Sequence, residues 1–80
     1  MPVLLRLEGF KFLFYADEGR PREPVHIHVR HGRDEAKFWL YPSVSLSYNR
    51  GLSGPLLNRA QRLVEEHRDE FERAWHEFFN

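Results

Sequence analysis

Val25-His26-Ile27-His28-Val29-Arg30, then Glu35-Ala36-Lys37-Phe38-Trp39-Leu40-Tyr41 after His31-Gly32-Arg33-Asp34, sets the architecture of this chain. The first segment alternates strictly between apolar and polar residues, the period of a half-buried strand. Gly32-Arg33 offers a two-residue loop with glycine first, as a type II′ hairpin turn requires. That loop pairs Val29 with Ala36, Ile27 with Phe38 and Val25 with Leu40 on one apolar face. The other face then pairs Arg30 with Glu35, His28 with Lys37 and His26 with Trp39. A slip of one residue would mix the two faces, so the pattern selects this register, and the Arg30/Glu35 charge pair supports it.

Upstream, Val3-Leu4-Leu5-Arg6-Leu7 reads as a short strand that Gly9 ends, and Phe10-Lys11-Phe12-Leu13-Phe14-Tyr15 as a second. Asp17 to Pro24, with one glycine, two prolines and charge, is a loop. Downstream, Val44 and Leu46 alternate with serines, the pattern of a short edge strand, and Tyr48-Asn49-Arg50-Gly51 reads as a turn. Ser53 is placed as a helix N-cap, with Gly54-Pro55 opening the helix. From there Leu56, Leu57, Ala60, Leu63, Val64, His67, Phe71, Ala74, Trp75 and Phe78 recur at helical spacing. A single helix of about 25 residues would be roughly 37 Å long. That is long for so small a domain, so a kink or break is expected near Asp69. These elements predict one α+β domain over residues 1–80, with the sheet in 1–48 and the helical region in 53–80. The sheet is antiparallel, of three to four strands, and a C-terminal helix or kinked helix pair packs on one face.

The chain has 80 residues, with 12 Lys+Arg against 12 Asp+Glu, 41% apolar and 15% aromatic residues, and no cysteine. Twelve aromatic side chains without net charge argue against disorder. Zero net charge argues against a uniformly basic nucleic-acid binder. The lack of cysteine excludes a disulfide scaffold, a zinc ribbon and a thiol enzyme. The charge is unevenly spread: residues 30–62 carry +4 and residues 63–80 carry −4. Met1-Pro2-Val3-Leu4-Leu5 runs straight into Arg6 and Glu8, and no run approaches a membrane span, so neither a leader nor a membrane segment is expected. With the absence of cysteine this places the protein in the cytoplasm. A core this small leans on its aromatic rings or on a partner.

The Pro-x-His-x-His-Val run at residues 24–29, Glu35-Ala36-Lys37-Phe38-Trp39-Leu40, and the closing Ala74-Trp75-His76-Glu77-Phe78-Phe79 come in a fixed order, with Gly9-Phe10-Lys11-Phe12 before them. Together they resemble a family of small bacterial proteins, the domain of unknown function 4160, over nearly the whole chain. The resemblance implies a bacterial source, a short sheet-plus-helix domain and an association with toxin–antitoxin-type gene pairs. It carries no catalytic residues over to this chain.

The sheet face away from the helix is the candidate functional face, and it carries His26, His28, Arg30, Lys37, Trp39 and Tyr41. Residues i and i+2 of a strand point the same way, about 6–7 Å apart, so His26 and His28 are placed to share a divalent metal. A third ligand would come from Glu23, Asp17, Glu18 or Tyr15. The plainer alternative is a polar strand face stacking on Trp39. Trp39 and Tyr41 are also suited to stacking on bases, with Lys11, Arg30 and Lys37 meeting phosphates. Phe78-Phe79 cannot both face one core from a helix, which points to contact with another chain. His31 falls in the hairpin turn, His67 on the apolar stripe and His76 in solvent. The first functional reading is a protein-interaction component of a toxin–antitoxin-type pair, acting as a homo-oligomer or with a cognate protein. The alternative is an RNA-binding protein or RNA-directed enzyme, metal-dependent or metal-free, that uses the His-x-His strand face. No cofactor is expected apart from that divalent metal.

Overall fold

A computed structural model describes residues 3–18 and 23–79. Five strands form one antiparallel sheet in sequence order: β1 (Val3–Leu7), β2 (Phe10–Leu13), β3 (His26–His31), β4 (Asp34–Trp39) and β5 (Ser45–Arg50). Two helices follow, α1 (Gly54–Glu66) and α2 (Arg68–Phe78). The class is α+β as read from the sequence, with one strand more than the upper expectation.

The central hairpin has the register that its alternation predicts. Val29 faces Ala36, Ile27 faces Phe38, His28 faces Lys37, His26 faces Trp39 and Arg30 faces Glu35. Leu40 N–H donates to the Val25 carbonyl at 3.0 Å and extends the pairing by one step. Gly32 has φ +61°, whereas the only non-glycine residue at positive φ among the described residues is Glu8. Positive φ at the first loop position alone is the type II′ signature. The β1–β2 hairpin turns on Glu8-Gly9, both at positive φ (54° and 83°), and Arg59 of α1 holds the Glu8 carboxylate with two hydrogen bonds.

Two expectations need correction. Tyr48-Asn49-Arg50 is not a turn but the second half of β5, paired with β4 through Lys37↔Tyr48, Ala36↔Asn49 and Glu35↔Arg50. The turn lies one step later, at Gly51, whose φ is +99° and where a Cβ would sit 2.3 Å from Asp34 Oδ1. Asn49 closes it by accepting from Leu52 N–H and donating to the Leu52 carbonyl. Asparagine therefore acts here as a turn builder at the end of a strand, using its side chain rather than its own backbone bend. The sequence places His67 on the apolar stripe. It sits at the break between the helices, about a quarter exposed, with Nδ1 3.3 Å from Glu70 Oε1.

That break falls at His67, two residues before Asp69, where the sequence predicts it. Ser53 Oγ caps α1 by accepting from Leu56 N–H at 3.4 Å. The core lies between the helices and the face carrying Phe12, Ile27, Val29, Ala36, Phe38 and Leu40, all fully buried. Phe12 stacks on Phe71 at 5.3 Å. Trp75 meets Phe14 edge-on at 5.2 Å, and Phe79 lies 4.2 Å from Trp75. Of the closing phenylalanine pair, Phe79 packs on this cluster and Phe78 remains 46% exposed.

Candidate functional site

On the face away from the helices, the register lines up one residue from each strand. Arg6 faces Lys11, Lys11 faces Arg30, Arg30 faces Glu35 and Glu35 faces Arg50. This transverse row holds four cations and one carboxylate. Neighbouring strands lie about 4.8 Å apart, so the row spans about 19 Å. Arg6, Lys11 and Arg30 stand side by side with no acid between them, an arrangement that like charges on paired strands disfavour. With Gly9 and Gly32 they border a groove that Val3 and Leu13 floor. Arg6 and Lys11 make no ion pair among the described residues.

The next row runs Leu13↔His28↔Lys37↔Tyr48. Where the two rows meet, Glu35 becomes a hub. Tyr15 donates to its Oε1 at 2.5 Å and Tyr48 to its Oε2 at 2.6 Å. His28 Nδ1 lies 3.4 Å from Oε2 and Arg30 Nε 3.9 Å from Oε1. Partial burial pushes the Glu35 carboxyl up. The Tyr15 and Tyr48 hydroxyls, with His28 and Arg30, outweigh that push and hold it below its usual range. Partial burial, then the bond and charge of Glu35, drive the Tyr48 phenol well above its own range. The hub is thus a fixed anion that accepts and never donates. It opens into a shallow, largely open depression lined by Tyr15, Asp17, Glu23, His28, Glu35, Tyr48 and Arg50. Arg50 lies over the Tyr48 ring at 4.6 Å.

The two histidines of the His-x-His strand stay in contact, their rings edge-on at 5.1 Å, and differ in their other partners. Both are buried. His28 joins the hub, with the Tyr15 ring 4.4 Å away. His26 is drawn to the sheet's end, 4.6 Å from Trp75 and 5.7 Å from Trp39, with Nδ1 3.0 Å from the Pro24 carbonyl. Among the described residues no three His, Asp or Glu side chains gather as a metal site. Of the third-ligand candidates, Tyr15 bonds Glu35, Glu23 bonds Lys37 Nζ at 2.9 Å and Asp17 lines the pocket. The Glu18 side chain lies outside the described residues.

The remaining candidates are placed as follows. Lys37 is bound to Glu23 and lies 4.5 Å over the Trp39 ring, so its charge is matched within the fold. Trp39 is half-buried and Tyr41 is 67% exposed, outside the hydrogen-bonded cluster. Glu35 and Tyr48 were not among the site candidates. The sequence marks Glu35 as Arg30's cross-strand partner, and its diagonal to His28 follows from the same register. Tyr48 carried no signal because its pairing depends on β5. No helix among the described residues is long and apolar enough to cross a membrane.

No curated protein and no solved structure matches the chain. The family model described as domain of unknown function DUF4160 matches residues 9–76, which include β2 to β5, the glutamate hub and nearly all of both helices, and the chain belongs to that family.

Proposed function

We propose that this protein binds single-stranded RNA across the uncovered face of its sheet, as one component of a toxin–antitoxin-type gene pair. The transverse row Arg6–Lys11–Arg30–Glu35–Arg50 carries the reading. Four cations across five strands, three of them adjacent with no acid between, form a track that an anionic backbone would relieve of its self-repulsion. Tyr15, Tyr48 and the Arg50 plane beside the track supply stacking surfaces, which single strands use and a closed duplex hides. The acidic residues of 63–80 lie on the helical layer, away from the track. The protein can therefore present a cationic face while its net charge is zero.

Fluorescence anisotropy with a labelled random-sequence RNA 12-mer over a salt series tests this. Neutralising four phosphates on a single strand gives a slope of log K against log salt of about −2.8. A flat salt response, or equal affinity for blunt duplex RNA, rejects the proposal.

A second reading, contact with a cognate protein or a second copy, is favoured by a separate observation. Tyr41 and Leu46, 67% and 42% exposed, flank the start of the edge strand β5. Light scattering of the chain alone and with the product of its neighbouring gene tests that reading. A monomer in both conditions rejects it.

A further inference from the structure

The cation track accounts for the phosphates but not for the carboxylate hub set into it. An anion in the middle of a phosphate track repels the backbone, so any contact Glu35 makes with the same strand is to a hydrogen-bond donor on a base. Resting on the RNA-binding reading, we propose that the pocket between Tyr15 and Tyr48 seats a guanine base, with the Glu35 carboxylate accepting from its N1–H and exocyclic N2–H groups.

The donor pattern of the pocket selects the base. A carboxylate offers two oxygens with about four acceptor sites and no donor. Tyr15 and Tyr48 each fill one site at short range, while His28 at 3.4 Å and Arg30 at 3.9 Å hold theirs loosely. Each oxygen therefore has acceptor capacity beyond its one hydroxyl bond. Among the four RNA bases, guanine alone carries two adjacent donors on its Watson–Crick edge, spaced to meet both oxygens of one carboxylate. Adenine and cytosine set an acceptor next to their amino group, and uracil flanks its one ring N–H with two carbonyls, so each turns a lone pair toward Glu35. Asp17 and Glu23 on the rim add acceptors and no donors.

The lining offers flat surfaces. Tyr15 and Tyr48 approach Glu35 from opposite oxygens, and the Arg50 guanidinium on the Tyr48 ring presents a flat cationic surface to the pocket. Bases stack on aromatic rings and on guanidinium planes alike. The hydroxyls also fix the charge of Glu35, since a carboxylate held in the ionised form keeps both oxygens as acceptors.

The test compares pyrimidine-only RNA 9-mers that differ at one central position, guanine, inosine or adenine, at one salt concentration. Inosine keeps N1–H and lacks the exocyclic amine. The expected order is guanine, then inosine, then adenine, with guanine about tenfold tighter than adenine. Glu35→Gln, which turns one acceptor into a donor, should abolish the preference while the salt slope stays at least as steep, because the track loses its one negative charge. The guanine–inosine comparison in the unaltered protein stands even where that variant fails to fold. Equal binding of the three strands with a steep salt slope overturns the guanine seat and leaves RNA binding standing. A flat salt slope removes the RNA reading itself. Free guanosine monophosphate that competes as tightly as the guanine strand supports the seat but assigns it to a nucleotide rather than a strand. An arginine-bearing peptide displacing the guanine strand at matched ionic strength, with no base preference among the strands, overturns the proposal in favour of a protein ligand.

Discussion

The two faces of this sheet are built from the same strands in the same register, yet they obey different rules. The face under the helices is a continuous apolar layer, Phe12, Ile27, Val29, Ala36, Phe38 and Leu40, every side chain fully buried and held by packing. The other face is held by polar bonds that converge on Glu35, and its outer row carries like charges side by side. The first arrangement serves stability throughout. The second includes cross-strand neighbours that oppose folding.

The contrast breaks most sharply in the core. Phe12 is fully buried and stacked on Phe71 at 5.3 Å. Phe12→Ala should cost about 3–5 kcal/mol, as much as a domain of this size has to lose. Urea unfolding followed by circular dichroism should show the variant largely unfolded in buffer. A folded variant with an unfolding midpoint close to that of the unaltered protein would mean that the helices do not depend on this layer.

On the polar face, removing one donor from the hub should cost less. Tyr48→Phe keeps the ring under Arg50 and deletes the hydroxyl that meets Glu35 at 2.6 Å. The expected loss is about 1–2 kcal/mol, a hydrogen bond to a charged, part-buried acceptor. An unchanged midpoint would mark Tyr48 as ornamental to the hub.

The covered face was legible almost residue by residue, because a period-two alternation bounded by a Gly-first loop leaves one acceptable register. The other face was legible only as a set of residues. His26, His28, Arg30, Lys37 and Trp39 do share a side, but alternation states which side a residue takes and not how far its side chain reaches. Hence the alternation places His26 beside His28, and their rings do meet at 5.1 Å, but it does not show that Trp75 and the Pro24 carbonyl also hold His26. Glu35 and Tyr48 escaped notice for a related reason. The β4–β5 connection has no tight-turn signature, and a register irregularity separates Lys37 from Phe38, so no local pattern specifies that Tyr48 faces Lys37. The hub depends on this long-range pairing and on Tyr15 reaching in from beyond β2.

Acid sharpens the comparison next, because only one face can titrate. The Glu35 carboxyl is held below the ordinary value of 4.5 by Tyr15, Tyr48, His28 and Arg30 acting against partial burial. A depressed carboxyl contributes stability in full above its unfolded value and loses it as pH falls through the folded one. The urea midpoint should therefore drop below about pH 4.5 through this group. The drop should be smaller in Glu35→Gln, which starts from lower stability at neutral pH. Parallel acid limbs in the two proteins would show that the hub carries no linked protons.

The smallest effect on stability should come with the clearest effect on binding. Arg6 and Lys11 are exposed, make no ion pair among the described residues and face each other across β1 and β2. Replacing either with alanine removes a like-charge contact, so stability should stay within about 0.5 kcal/mol of the unaltered protein or rise slightly. Each replacement should also lower the magnitude of the RNA salt slope by about 0.7, one phosphate contact on a single strand. Lys37→Ala is the internal control. Its ammonium is bound to Glu23 at 2.9 Å and lies over Trp39, so it should cost stability while hardly moving the slope. If Lys37→Ala flattens the slope and Arg6→Ala does not, the track runs along the second row instead, through His28, Lys37 and Tyr48, and the outer row is an ordinary charged surface.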